Sequence, residues 1–390
     1  MLTPARELAF RVLLRVERKK GYAVELLNSP AAAELSPPDP ALAQEIVMGC
    51  LRWQGQLDWL AAHFSGKDPA RWDPEVRLAL RLGIYQLRFL ERVPASAAVD
   101  QSVALVKRAR KASAAPLVNA VLRKVRRDPL ESLFPQDLPE SERRLVRLSH
   151  PAWLLDRWTR HYGWERAQAM ARAHNQPPPV FARIPPGESV EEGRPCRYVR
   201  NCRDLTGADR RIAARFRLQD EASQIIPYLL APQAGGRILD LCAAPGVKTG
   251  ALAELAPGAQ LVAGDRSAAR LRLVRQLAGP AAWCVALDGT RPLPFAVRFE
   301  RILVDAPCSG TGTIRRNPEV KWRLGESDLA ELAARQRRLL DHALDALAPG
   351  GRLVYATCSL EPEENQQVVE VVLGERPDCA LAPPARLPRE

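Results

Sequence analysis

Two cysteines stand out by what surrounds them. Cys308 lies in "VDAPCSGTG", three residues after Asp305, and Cys358 lies in "YATCSLEPEEN", flanked by two hydroxyl residues and followed by a run of acid. Two thiols and a carboxylate at the ends of apolar runs are a set that covalent catalysis could use. One reaction that needs such a set is methylation at carbon 5 of cytosine, which is a poor nucleophile as it stands. Attack of a thiolate on carbon 6 turns the ring into an enamine, and carbon 5 becomes nucleophilic. An acid near ring nitrogen 3 would stabilise the charge that develops there, a part open to Asp305. A base must then remove the carbon-5 proton so that the first thiol can leave, and a second cysteine could do so. The attacking group must be a thiolate, so its surroundings should be polar or electropositive. The competing reading is that Cys308 and Cys358 are small core residues, as most free cysteines are. Cys50, Cys196, Cys202, Cys284 and Cys379 keep that reading.

A second group of residues suits a ligand. "DLCAAPGVKTGALAEL" (240–255) reads as strand, small-residue turn and helix. Small residues let a backbone come close to a ligand, and a helix N-terminus offers free N–H groups. The turn is neither GxGxxG nor GxxxxGK[ST], so it is neither a nicotinamide fingerprint nor a P-loop. Asp265 ends the next apolar run, 25 residues after Asp240, where a carboxylate suits two ribose hydroxyls. Asp288 ends the third run, where it could meet an adenine amino group. Each aspartate alone could be a loop cap; three in series at successive strand ends point to a nucleoside-type cofactor.

These residues need elements to hold them. From about residue 216, "GRILDLCAAPG", "AQLVAGD", "AAWCVALDG", "RFERILVDAPC" and "GGRLVYATC" are short apolar runs separated by helical stretches. Strands alternating with helices predict a doubly wound, mostly parallel sheet. Ligands of such sheets bind beyond the carboxyl ends of the strands, where every acid and thiol named above falls. The fourth and fifth strands are expected side by side, so Asp305, Cys308 and Cys358 should converge. Residues 1–128 instead show apolar positions at helical spacing, as in "PARELAFRVLLRVERK" and "PEVRLALRLGIYQLRFL", and predict an all-helical domain of about six helices. Residues 129–149 read as a linker, and 150–215 as two short helices followed by an Arg-rich stretch without clear pattern.

Composition narrows the class. The 390 residues carry a net charge of +12, and residues 1–128 hold 21 Lys and Arg against 13 Asp and Glu. A basic balance favours a phosphate-rich partner. Basic residues crowd two predicted helix ends, Lys107, Arg108, Arg110 and Lys111, then Arg123, Lys124, Arg126 and Arg127. They could face RNA or compensate helix dipoles. The N-terminus lacks a signal-peptide pattern and no uncharged apolar run approaches the ~20 residues of a membrane span, so a cytoplasmic protein with reduced thiols is expected. No cysteine or histidine spacing suggests a metal site.

Three stretches carry a resemblance. "DLCAAPGVKT", "VDAPCSGTGTIRRNPEVKW" and "YATCSLEPEENQQVV" resemble the signature motifs of the Nol1/Nop2/Sun (Fmu) RNA 5-methylcytosine methyltransferases. "QEIVMGCLRW", "AAVDQSVALVK" and "PLVNAVLRK" resemble a NusB-like RNA-binding domain, the pairing found in bacterial members that act on 16S ribosomal RNA. The resemblance spans most of residues 4–375. It implies a class I, Rossmann-like methyltransferase domain over 216–390, preceded by the NusB-like domain, and a monomer without metal. It implies Cys358 as nucleophile and Cys308 as the thiol that assists product release. It implies that S-adenosylmethionine is held by Cys242, Ala243, Ala244, Pro245, Gly246, Val247 and Lys248 with Asp265, Asp288 and Asp305, the last bridging cofactor and base. Lys248 has a second possible place, facing the target nucleotide.

The chain departs from that pattern in three places. Val247 stands where the family loop has a second glycine. The segment between "FARIPP" and "RFRLQDEAS" is short, so a reduced RNA-binding subdomain is expected. The sequence ends at "CALAPPARLPRE" without the family's closing strand, so the last strand is expected at an open sheet edge. A catalytically impaired RNA-binding homologue, and the same chemistry on another RNA such as tRNA, are the alternatives these departures raise.

Overall fold

The computed structural model describes residues 2–185 and 187–385. The chain divides into two compact units. The first runs to Pro177 and takes in Thr313–Glu326; the second comprises Pro178–Gly312 and the residues from Ser327 onward. The division between the two compact units thus falls at 177.

The first unit is helical. Pro4–Glu17, Asp39–Arg52, Gln54–Ser65, Pro74–Phe89, Ala95–Arg108 and Ala115–Lys124 are its main helices. Proline opens several of them at the first turn, where its missing N–H costs nothing. Their apolar stripes meet in one core that includes Leu8, Ile46, Leu60, Leu82, Ile84 and Leu122. Residues 129–149 carry two helices, the short Leu130–Leu133 and Glu140–Leu148, and the Ser149 hydroxyl caps the start of Gln54–Ser65 by accepting from the Gly55 and Gln56 amides. Helices Ala152–Tyr162 and Trp164–His174 complete this unit.

Most of the basic residues at the two helix ends have local work. Arg127 donates to the carbonyls of Leu87 and Leu90, and Arg126 to those of Arg123 and Val125. Arg108 pairs with Glu7 at 2.7 Å and Lys111 with Asp73 at 2.8 Å. Cations at helix C-termini satisfy carbonyls and oppose the dipole. Lys107 and Arg110 make no such contact among the described residues.

Thr313–Glu326 is anchored to the other residues of the helical unit by buried and half-buried polar contacts. Glu319 accepts from the Ala23 amide (2.8 Å), Lys321 donates to the Arg52 carbonyl (2.9 Å) and Asn175 Oδ1 (3.1 Å), and Trp322 donates to the Leu51 carbonyl (2.6 Å). Burial, with Arg52 beside it, pushes the Lys321 amine well below the usual lysine range.

The second unit contains two sheets. The smaller is antiparallel, in the order β2-β3-β1-β4, from β1 (Phe181–Arg183), β2 (Arg194–Pro195), β3 (Cys202–Asp204) and β4 (Arg217–Leu218). It fills the stretch that had no readable pattern, because strands of two or three residues are too short to show alternation. The larger sheet is parallel, in the order β7-β6-β5-β8-β9, from β5 (Arg237–Asp240), β6 (Gln260–Asp265), β7 (Ala282–Ala286), β8 (Phe299–Asp305) and β9 (Leu347–Ala356). Ile238 and Leu303 pack on one face, and Leu239, Ile302 and Val304 on the other, so both faces are covered as a doubly wound sheet requires. Among the described residues, β9 pairs only with β8. No helix is long and apolar enough to cross a membrane among the described residues.

Candidate active site

Strand register places the candidate residues. In the parallel sheet Asp240 is level with Ala263 and Leu303, Asp265 with Ala286, and Asp305 with Ala356. Asp240, Asp265 and Asp305 therefore finish their strands on one edge. Cys308 lies three residues past the end of β8, and Cys358 two past the end of β9.

The turn after β5 leads into the helix Val247–Leu255, and Gly246 makes the corner at φ 108°. A Cβ on Gly246 would lie 2.6 Å from the Val274 Cα, so only glycine fits. Val247 is the first helical residue and has no positive φ, so the branched side chain there costs no backbone strain. Asp240 is buried; its Oδ2 accepts from the Thr249 hydroxyl at 2.7 Å, while Oδ1 has no partner. Burial pushes its carboxyl up to about 7. The sequence pattern counts Asp240 only as the first of three strand-end aspartates and gives it no contact of its own.

Asp265 ties two loops together. One oxygen accepts from the Ala244 amide (3.2 Å) and the other from the Ser267 amide (2.8 Å). Asp288 lies two residues beyond β7 and accepts from the Thr290 amide and hydroxyl through Oδ1. Those two bonds hold its carboxyl below the usual range, and its second oxygen takes no hydrogen bond among the described residues. Lys248 sits in the first turn of its helix, where a cation is opposed by the helix dipole. Asp305 offsets that by pairing with its Nζ at 2.6 Å.

The two thiols meet. Their Sγ atoms are 3.3 Å apart, and the Cys358 amide donates to Cys308 Sγ at 3.3 Å. Cys358 is exposed, whereas Cys308 is half-buried. The hydrogen bond from the Cys308 thiol lowers Cys358 below the usual thiol range, with the Lys248 ammonium assisting. The same contact, then burial, pushes Cys308 far up. One thiolate shared by this pair therefore belongs on Cys358. Cys50, Cys196, Cys202, Cys242 and Cys379 are all pushed up by burial, and none of the eight cysteines forms a disulfide.

Glu364 is a site residue that the sequence reading left inside a run of acid. It is wholly buried and accepts from the Ser309 amide (2.8 Å), the Ser309 hydroxyl, the Ser359 hydroxyl (2.5 Å) and Gln336 Nε2 (2.9 Å). A cavity of about 650 Å³ runs along β9 and includes Leu344, Leu353, Val369 and Leu381; none of the candidate residues lines it.

The arrangement can ionise one thiol beside a cation–carboxylate pair, with a glycine-cornered helix N-terminus and three carboxylates along the same strand ends. Known proteins share its framework. Residues 227–387 match the 16S rRNA methyltransferase RsmB/F family, residues 3–127 the NusB family, and residues 150–187 the RsmF/B-like ferredoxin-like domain. The ribosomal RNA small subunit methyltransferase B of Sodalis glossinidius is 35% identical over 93% of this chain and 87% of its own length. That of Klebsiella pneumoniae is 35% identical over 93% and 88%. The crystal structure of PH0851 superposes with a TM-score of 0.76 over 97% of this chain and 90% of that one at 23% identity, which speaks to the fold. A methyltransferase homolog from Pyrococcus horikoshii is 30% identical, with a TM-score of 0.51 over 60% of this chain and 82% of its own. With this identity across nearly the whole length, the chain belongs to the RsmB/F family of 16S rRNA methyltransferases.

Proposed function

We propose that this protein transfers a methyl group from S-adenosylmethionine to carbon 5 of a cytosine in 16S ribosomal RNA, through a covalent bond between Cys358 and carbon 6. The observation that carries this reading is the pair of thiols 3.3 Å apart beside the Lys248–Asp305 ion pair. The strand-end residues fit the cofactor. Its ammonium, ribose diol and adenine amine are donors, and Asp265, Asp288 and Asp305 are acceptors on one rim. The loop from Cys242 to Lys248 offers the helix N-terminus and the close approach that Gly246 permits. When bound, the cofactor supplies an electrophilic methyl group.

The chain's own residues supply the rest. Cys358 attacks carbon 6 as the thiolate that Cys308 and Lys248 favour. The negative charge that this attack puts on the ring is met by the Lys248 ammonium, and by Asp305 at nitrogen 3 when its carboxyl carries a proton to donate. Once Cys358 is bonded to carbon, its charge is gone, and with it the main reason for the high affinity of Cys308 for its proton. Cys308 then becomes able to give its own proton to solvent and, as a thiolate, to take the carbon-5 proton. Loss of that proton restores the double bond and expels the Cys358 thiolate.

The test is a denaturing gel of protein with 16S ribosomal RNA and S-adenosylmethionine. Cys308→Ala should accumulate a protein–RNA band that neither the wild type nor Cys358→Ala shows. If no variant traps RNA and the wild type transfers no methyl group, the chain is an RNA-binding homologue without this activity.

A further inference from the structure

The two thiols sit on separate loops, and no backbone hydrogen bond of the β8–β9 ladder reaches them. The ladder ends at Asp305 and Ala356, with one further bond from the Ala306 amide to the Ala356 carbonyl. Beyond it the Gly312 amide, four residues after Cys308, donates to the Cys358 carbonyl at 2.9 Å, and a distance of 3.3 Å between sulfurs needs a further constraint nearer the thiols. The structure assigns that role to Glu364: this buried carboxylate is a positioning residue that clamps the Cys308 loop to the Cys358 loop and so sets the separation of the two thiols.

Four observations support the assignment. Glu364 takes the amide and hydroxyl of Ser309, the neighbour of Cys308, and the hydroxyl of Ser359, the neighbour of Cys358. The two serine hydroxyls also touch each other at 3.0 Å, so carboxylate and hydroxyls form one closed cluster across the loops. Gln336 holds the cluster from the helix Asp328–Asp345 by donating both to Glu364 and to the Pro307 carbonyl. Finally, the Glu364 carbonyl accepts from the Tyr355 hydroxyl, which ties the clamp back to β9. A buried carboxylate is stable only when its lone pairs are filled, and here three of the four donors come from the two residues adjoining the thiols. The Glu364 charge also adds to the effects that keep Cys308 protonated. Glu364 touches neither sulfur, so it acts through the serines.

The kinetic part of the test rests on the proposed methyl transfer; the chemical part does not. Cys308 and Cys358 can be joined by the thiol oxidant diamide, and the disulfide counted by mass spectrometry of the linked peptides. Glu364→Gln keeps the shape but turns a donor toward donors. It should slow disulfide formation at least tenfold and lower kcat roughly 10- to 100-fold, as misplacement of reacting groups by ~1 Å does, with KM for RNA and for S-adenosylmethionine unchanged. Ser309→Ala combined with Ser359→Ala removes both hydroxyl donors of the clamp, leaving the Ser309 amide and Gln336, without altering the buried charge and should give the same pattern, which guards against a Glu364 variant that does not fold. Disulfide formation at the wild-type rate in either folded variant, or a rise in KM with kcat unchanged, overturns the assignment. If the wild type forms the disulfide but transfers no methyl group, the proposed reaction falls while the clamp stands.

Discussion

At the residue scale, the chemistry rests on unequal thiols. Cys308 and Cys358 are equivalent in isolation, and their surroundings separate them. Cys308 is half-buried and is pushed up by its contact with Cys358, whereas Cys358 is exposed and is lowered by the hydrogen bond from Cys308, with the Lys248 ammonium assisting against Asp305. Lys248→Met should therefore move the pH profile of Cys358 alkylation by iodoacetamide to higher pH, since a cation that favours the thiolate has gone. The profile should stay lower than that of Cys358 in a Cys308→Ala background, because the hydrogen bond from Cys308 is the larger influence. An unchanged profile in Lys248→Met would remove Lys248 from the ionisation step. Much of this site was legible in the sequence, because each apolar run ended in the acid or thiol that the strand presents at its carboxyl end. Glu364 was not legible. Its neighbours Glu361 and Glu363 are of the same type, and nothing in "EPEEN" says which carboxylate turns inward under the serines.

At the scale of elements, the turn between β5 and the helix Val247–Leu255 shows what a departure from a motif does and does not mean. The left-handed corner is Gly246, and the position after it is ordinary helix. Gly246→Ala meets both a positive φ and the Val274 backbone and should cost about 2 kcal/mol or more. It should also weaken S-adenosylmethionine binding measured by calorimetry. Val247→Gly should change stability by only about 0.5 kcal/mol, the difference in helix propensity, and leave binding intact. Equal effects of the two substitutions would mean that the corner is shared. Larger elements were readable where they repeat over many residues: the helices of residues 4–124 and the five parallel strands. The small antiparallel sheet was not, since its strands are short and Arg-rich. The excursion Thr313–Glu326 was not either. It adjoins the Cys308 loop in sequence and reads as part of it, yet Glu319 and Lys321 are buried, and Trp322 half-buried, against helical residues.

At the scale of the whole molecule, the two units carry buried titratable groups whose pH responses oppose each other. In the helical unit His150 and His174 pack against Trp158, and burial is the main reason both are lowered, His174 to about 4. An unfolded histidine titrates near 6.5. Between these values the unfolded state binds more protons, so acidification from pH 6.5 towards 4 removes stability. For His174 alone the loss approaches about 3 kcal/mol at the acid end. In the sheet unit Asp240 is raised to about 7, against about 3.9 when unfolded. There the folded state binds more protons across that window, so acidification from 7 towards 4 adds stability, and the contribution is lost again as pH rises through 7. Calorimetry at pH 7 and pH 5 should separate the effects through variants. His174→Phe should flatten the acid-side fall of the melting temperature, because a neutral ring replaces one that must stay neutral. Asp240→Asn should remove the compensating gain and so steepen the fall. If both variants parallel the wild type between pH 7 and 5, these buried groups do not set the pH response, and carboxylates elsewhere must do so.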